Sequence, residues 1–170
     1  MLLLISIIGL VSIFYFNSRI QSEEGPLVRK LRAYGWMNRA IVVGGFVFIG
    51  NAVLFFSTWG IITLLTWLTI PFMYLVFMLL AIFVSMYFWA AVRESWQGTK
   101  SQQMLMAMIG SSFYSIFTVI LIYLYVTLEP STPGEDVFMK SLGYILGIVV
   151  TTVAMLTCFL MTAFEKKLMH

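Results

Sequence analysis

Cys158 is the one thiol in this sequence and His170 its one imidazole, twelve residues further on. A cysteine nucleophile needs a base within hydrogen-bond reach. Cys158 lies inside an apolar run and His170 beyond the end of it, so the thiol is read as a small packing residue. With a single cysteine there is no intrachain disulfide and no CxxC site. A single histidine also rules out, within one chain, a haem held between two histidines and a zinc site built on HExxH. No GxSxG and no phosphate-binding loop is present. The seven acids, Glu23, Glu24, Glu94, Glu129, Glu135, Asp136 and Glu165, fall in polar segments or at the ends of apolar ones. Proton- and ion-coupled carriers usually place such a group mid-membrane. The expectation is a chain that is not an enzyme, with no catalytic, cofactor-binding or metal-binding residues and no cofactor.

Two polar features remain. Asn51 is the most polar side chain deep in an apolar run. It is an intramembrane polar contact, read as an amide bonded between helices in preference to one that touches a solute. In "RESWQGTK", Glu94 and Trp96 are read as a solvated turn with a tryptophan anchor in preference to a recognition loop.

The strongest pattern is one of packing. Gly143, Gly147, Thr151, Ala154, Cys158 and Thr162 follow at helical spacings, and so do Ala107, Ser111, Ser115 and Thr118. Stripes of small residues let helix backbones approach closely in lipid. The two segments are expected to pack on each other, or to take a helix from another protein. The interface is assigned to Gly143, Gly147, Thr151, Ala154, Cys158, Ala107, Ser111 and Ser115.

The elements that carry these residues follow from composition. The 170 residues are 61% hydrophobic and 10% charged, against about 25% charged in a soluble domain. The predicted fold class is an all-α integral membrane protein, a single domain over 1–170 with five transmembrane helices. "MLLLISIIGLVSIFYF" has no basic residue before Arg19 and no small-residue cleavage site, so it reads as an uncleaved first span over about 1–17. No charge occurs from Ala40 to Val92, 53 residues or about 80 Å of helix. That length suits two crossings. Ser57–Gly60, "STWG", is the predicted turn, giving spans of about 40–57 and 61–92. A bend or break is expected near Pro71; the variant is a short interfacial or re-entrant piece at 61–70 followed by the true span at 71–92, which Trp67, the one tryptophan not at a span end, favours. The last spans are 104–128 and 141–164, joined by "EPSTPGEDVFMK".

Charge orients the bundle. With the N-terminus outside and the C-terminus cytoplasmic, nine basic residues lie inside and Lys140 alone outside. The net charge of +3 is thereby explained by orientation, without nucleic acid. Residues 27–38 form a candidate short amphipathic cytoplasmic helix, with Leu27, Leu31 and Tyr34 on one face. Arg29, Lys30 and Arg32 are candidate contacts to anionic lipid; the alternative is a loop whose charges only set topology.

Lack of chemistry and long packing seams point to a non-enzymatic subunit or assembly partner of a larger membrane complex. Its expected partners are the lipid bilayer and other membrane subunits or copies of itself. Its expected location is the bacterial cytoplasmic membrane, as a multi-pass protein. The alternative is an oligomeric transporter or channel for a small neutral solute, with the path between helices.

Overall fold

The helix that begins at Ala40 does not turn at Ser57–Gly60; it continues without interruption to Trp67. In the computed structural model, which describes residues 26–68, 73–128 and 137–164, every regular element is helical. These are α1 (Pro26–Arg32), a short 3-10 turn (Gly35–Asn38), α2 (Ala40–Trp67), α3 (Met73–Ser95), α4 (Lys100–Val126) and α5 (Val137–Ala163). The four helices α2 to α5 are long and apolar enough to cross a membrane. The expected first span over 1–17 and Pro71 itself lie outside the described residues.

The physical reason that α2 runs on is that its hydroxyls are satisfied inside the helix. Thr58, Thr63 and Thr66 donate to the carbonyls of Leu54, Trp59 and Ile62, one turn back, at 2.7, 2.9 and 2.8 Å. Gly60 costs about 1 kcal/mol in a helix interior, too little to break a helix whose hydroxyls are bonded on both sides of it. Proline is the stronger signal. The ring of a proline clashes with the carbonyl four residues earlier, and for Pro71 that is residue 67, where α2 ends. The predicted spans 40–57 and 61–92 are therefore corrected to helices over 40–67 and 73–95. Trp67, the apparent exception, stands at a helix end and is 83% exposed. Trp59, assigned to a span end, stands two turns inside α2.

α2 and α3 must run antiparallel. They meet at Asn51 and Trp89, each sixteen residues, or about 24 Å, from the connection at 68–72. Parallel helices would leave a gap of about 48 Å, and the short connection reaches at most about 22 Å when extended.

α4 begins four residues before the predicted start. Thr99 and Gln102 form a capping box: the Thr99 hydroxyl accepts from the Gln102 N–H at 3.4 Å, and the Gln102 side chain accepts from the Thr99 N–H at 3.3 Å. That arrangement satisfies two donors that the first turn otherwise leaves orphaned. α4 and α5 make the most extensive helix pair, followed by α2 and α4.

The core sits in one half of the bundle. The buried residues of α2 lie between Ala40 and Asn51, and those of α3 between Met86 and Ser95. Those of α4 lie between Gln103 and Tyr114, and those of α5 between Thr151 and Thr162. The other half, which includes Val53, Phe56 and Leu64 of α2 and Leu75, Leu79 and Phe83 of α3, leaves large apolar side chains exposed. So much apolar surface needs an apolar surrounding, whether lipid or other protein.

Candidate functional site

Asn51 is fully buried at the point where all four long helices meet. Counted along α2 it stands about 17 Å from the first residue and about 24 Å from the last. Its side-chain oxygen accepts the indole N–H of Trp89 on α3 at 2.7 Å. Its amide nitrogen donates to the backbone carbonyl of Gly110 on α4 at 3.0 Å and reaches the Cys158 sulfur on α5 at 3.5 Å. An indole N–H can only donate, so Trp89 fixes which end of the amide is the oxygen. Both ends of Asn51 are committed to protein partners. The arrangement registers the four helices against one another.

Trp89 was expected at the membrane interface and is 4% exposed inside the core. The reason is that α3 extends to Ser95, which moves Trp89 nearly two turns inside the helix and onto its inward face. The indole also stands edge-on to Tyr114, with ring centroids 6.3 Å apart.

The carbonyl of Gly110 is within reach because α2 and α4 approach closely there. A Cβ added at Gly110 would stand 2.6 Å from Val47 Cγ1 and 2.9 Å from Val47 Cβ. A Cβ at Gly44 would stand 2.8 Å from Ile109 Cβ and 3.1 Å from the Met106 carbonyl oxygen. Each helix thus presents a glycine to a β-branched residue of the other. Neither glycine belongs to the small-residue stripes read from the sequence.

Those stripes meet along α4 and α5. Ala107, Ser111, Thr151 and Cys158 are buried, while Ser115 and Ala154 are half-buried. Ser115 donates to the Met155 sulfur at 2.9 Å. The hydroxyls of Thr118 and Thr151 meet at 2.9 Å, and Thr151 also lies 2.9 Å from the Gly147 carbonyl on its own helix. At the core end, the Gln103 amide donates to the carbonyl of Thr162 at 2.9 Å; a span starting at 104 left Gln103 out. A Cβ at Gly147 would meet the flexible end of Leu121 at 3.1 Å, whereas one at Gly143 would meet nothing within 4 Å. The contact therefore runs from Gly147 to Thr162, and Gly143 takes no part in it among the described residues.

At the same end, α1 is docked onto the end of α3. Val28 and Leu31 are buried, and so is Met37 in the 3-10 turn. Arg32 donates to the Glu94 carbonyl at 3.2 Å, and the Ser95 hydroxyl stands 3.4 Å from the carbonyl of Val28. Arg29 and Lys30 are exposed. The predicted apolar face is corrected in one respect: Tyr34 is exposed, because α1 ends at Arg32 and the following turn breaks the helical register. The side chain of Leu27 lies outside the described residues. Trp96 is half-buried beside this contact, and its indole nitrogen is buried without a hydrogen-bond acceptor among the described residues. Arg93 and Glu94 are 3.9 Å apart, a loose ion pair between sequence neighbours.

Compared with models of known protein families, with curated proteins and with solved structures, the chain matches none.

Proposed function

We propose that this chain is a non-enzymatic, multi-pass membrane subunit or assembly partner of a larger membrane complex. In this reading residues 1–17 form a fifth crossing, the N-terminus lies outside and the C-terminus in the cytoplasm. The membrane is the cytoplasmic membrane of a bacterium. The observation that carries the proposal is the junction at Asn51. The most polar side chain deep in the bundle is committed on both ends to Trp89, Gly110 and Cys158, which is the use a scaffold makes of an asparagine. The hydroxyls along α4 and α5 are likewise bonded to protein atoms, as at Ser115, Thr118 and Thr151.

The surface through which partners bind follows by subtraction. Much of the small-residue seam from Gly147 to Cys158 is engaged within the chain. The outer half of the bundle, with Phe56, Leu64, Leu75 and Leu79 exposed, is the surface left for lipid and for partner helices. The hydroxyls of Thr63 and Thr66, between the exposed Trp59 and Trp67, donate into their own helix, which supports a packing surface in preference to a polar path.

The test is extraction in a mild detergent followed by identification of the chains that co-purify. A membrane partner in fixed stoichiometry is the expected result. Isolation of the chain by itself, together with solute flux in liposomes that contain nothing else, would replace this reading with a transporter.

A further inference from the structure

The end of the bundle that holds the core also collects the charge. Among the described residues, Arg29, Lys30, Arg32, Arg39, Arg93 and Lys100 stand at that end with a single acid, Glu94, while the opposite end carries Lys140. Glu23 and Glu24 lie outside the described residues. Even with them, residues 17–39 hold five basic and two acidic side chains.

We propose that this end is a docking surface for anionic phospholipid headgroups, held by Arg29, Lys30 and Arg39. Three observations place the cations correctly. First, α1 is anchored rather than loose: Val28 and Leu31 are buried, and Arg32 bonds the Glu94 carbonyl. Arg29 and Lys30 are exposed on this anchored helix, so the backbone that carries them is ordered before binding and only their side chains remain to be fixed. Second, the depth is right. Arg39 immediately precedes the apolar helix α2, and α1 touches α3 at Glu94 and Ser95, where that helix ends. This is the level at which apolar spans give way to headgroups. Third, the surface is amphiphilic. Ile41 and Val42, next to Arg39, are exposed, as are Met104 and Leu105 one turn into α4. An acyl chain can lie against these residues while its phosphate meets the cations; a soluble anion would use half of the surface.

The experiment titrates full-length protein in neutral micelles with phosphatidylglycerol, with phosphatidylcholine and with free glycerol 3-phosphate. Lipid retained per chain is counted by native mass spectrometry. Each exposed cation near an anionic surface contributes about fivefold in affinity, the equivalent of about 1 kcal/mol. The triple variant Arg29→Gln, Lys30→Gln, Arg39→Gln should therefore retain phosphatidylglycerol about a hundredfold less well. Lys140→Gln at the far end should not differ from wild type. Wild type should prefer phosphatidylglycerol to phosphatidylcholine, and the preference should shrink with salt. That comparison needs no variant, so a triple variant that fails to fold leaves the proposal open to refutation. Equal retention of the two lipids by wild type would overturn it. So would unchanged retention by a folded triple variant, or displacement by glycerol 3-phosphate at matched concentration, which would make the ligand a free phosphate ester.

Discussion

Trp89 and Asn51 are joined by a 2.7 Å hydrogen bond between two side chains, both buried, on adjacent antiparallel helices. The bond closes a junction in which an asparagine of α2 touches α3, α4 and α5 at one level of the bundle. An amide is suited to this position because it accepts at one end and donates at the other. A leucine of similar size would leave the Trp89 N–H unpaired, at a cost of about 1–3 kcal/mol. Asn51→Leu should accordingly lower thermal stability in detergent, while leaving helix content by circular dichroism within error of wild type.

The close approach of α2 and α4 yields a contrast between two glycines. Gly110→Ala places a methyl group 2.6 Å from Val47 Cγ1 and 2.9 Å from its Cβ. A β-branched side chain held in a helix has little freedom to move aside, so overpacking should cost about 1–3 kcal/mol. Gly143→Ala meets nothing within 4 Å among the described residues and should be neutral, or stabilising by up to about 1 kcal/mol through helix propensity. Chemical denaturation in mixed micelles distinguishes the two variants. Equal effects would contradict the packing described for α2 and α4.

Gly60 tests where the chain turns. It stands inside α2, and an added Cβ would meet nothing within 4 Å among the described residues. Gly60→Ala should leave stability unchanged or raise it by about 1 kcal/mol or less. A marked loss, of the kind produced when a turn glycine with positive φ gains a side chain, would restore the turn at Ser57–Gly60.

The orientation proposed above predicts opposite labelling of two single cysteines. With Ser131→Cys and Ser101→Cys made separately in a Cys158→Ser background, an impermeant thiol reagent added to intact cells should label the first and not the second. Labelling of Ser101→Cys alone would reverse the orientation.

The all-helical class and its strongly apolar segments could be read from composition and from the charge-free run between Ala40 and Val92, since a bilayer permits few backbone solutions. The boundaries were less legible. "STWG" has turn composition, yet threonine hydroxyls can bond back into their own helix, as those of Thr58, Thr63 and Thr66 do; composition does not reveal that choice. Pro71 carried the better information because its constraint is covalent. In the junction, Asn51 was visible from the sequence because it is polar among apolar neighbours. Trp89 was not, because an interfacial and a buried tryptophan look alike until the helix end is known. Gly44 and Gly110 are not legible in the sequence because each stands outside a regular stripe, and the close contact they make depends on Val47 and Ile109 across the interface. The capping box at Thr99 and Gln102 was present in "GTKSQQ", and it would have moved the start of α4 to its observed position and brought Gln103 into view.

The central claim is that Asn51 and Trp89 act together as one structural connection, and a double-mutant cycle measures this directly. Unfolding free energies of wild type, Asn51→Leu, Trp89→Phe and the double variant give the coupling between the two positions. Hydrogen bonds between helices in membranes average about 0.6 kcal/mol and reach about 1.7 kcal/mol, and the short bond between buried partners belongs toward the upper part of that range. The account predicts a coupling of about 1 kcal/mol, with the double variant losing less than the sum of the single losses. A coupling indistinguishable from zero, with the two losses simply adding, would contradict it.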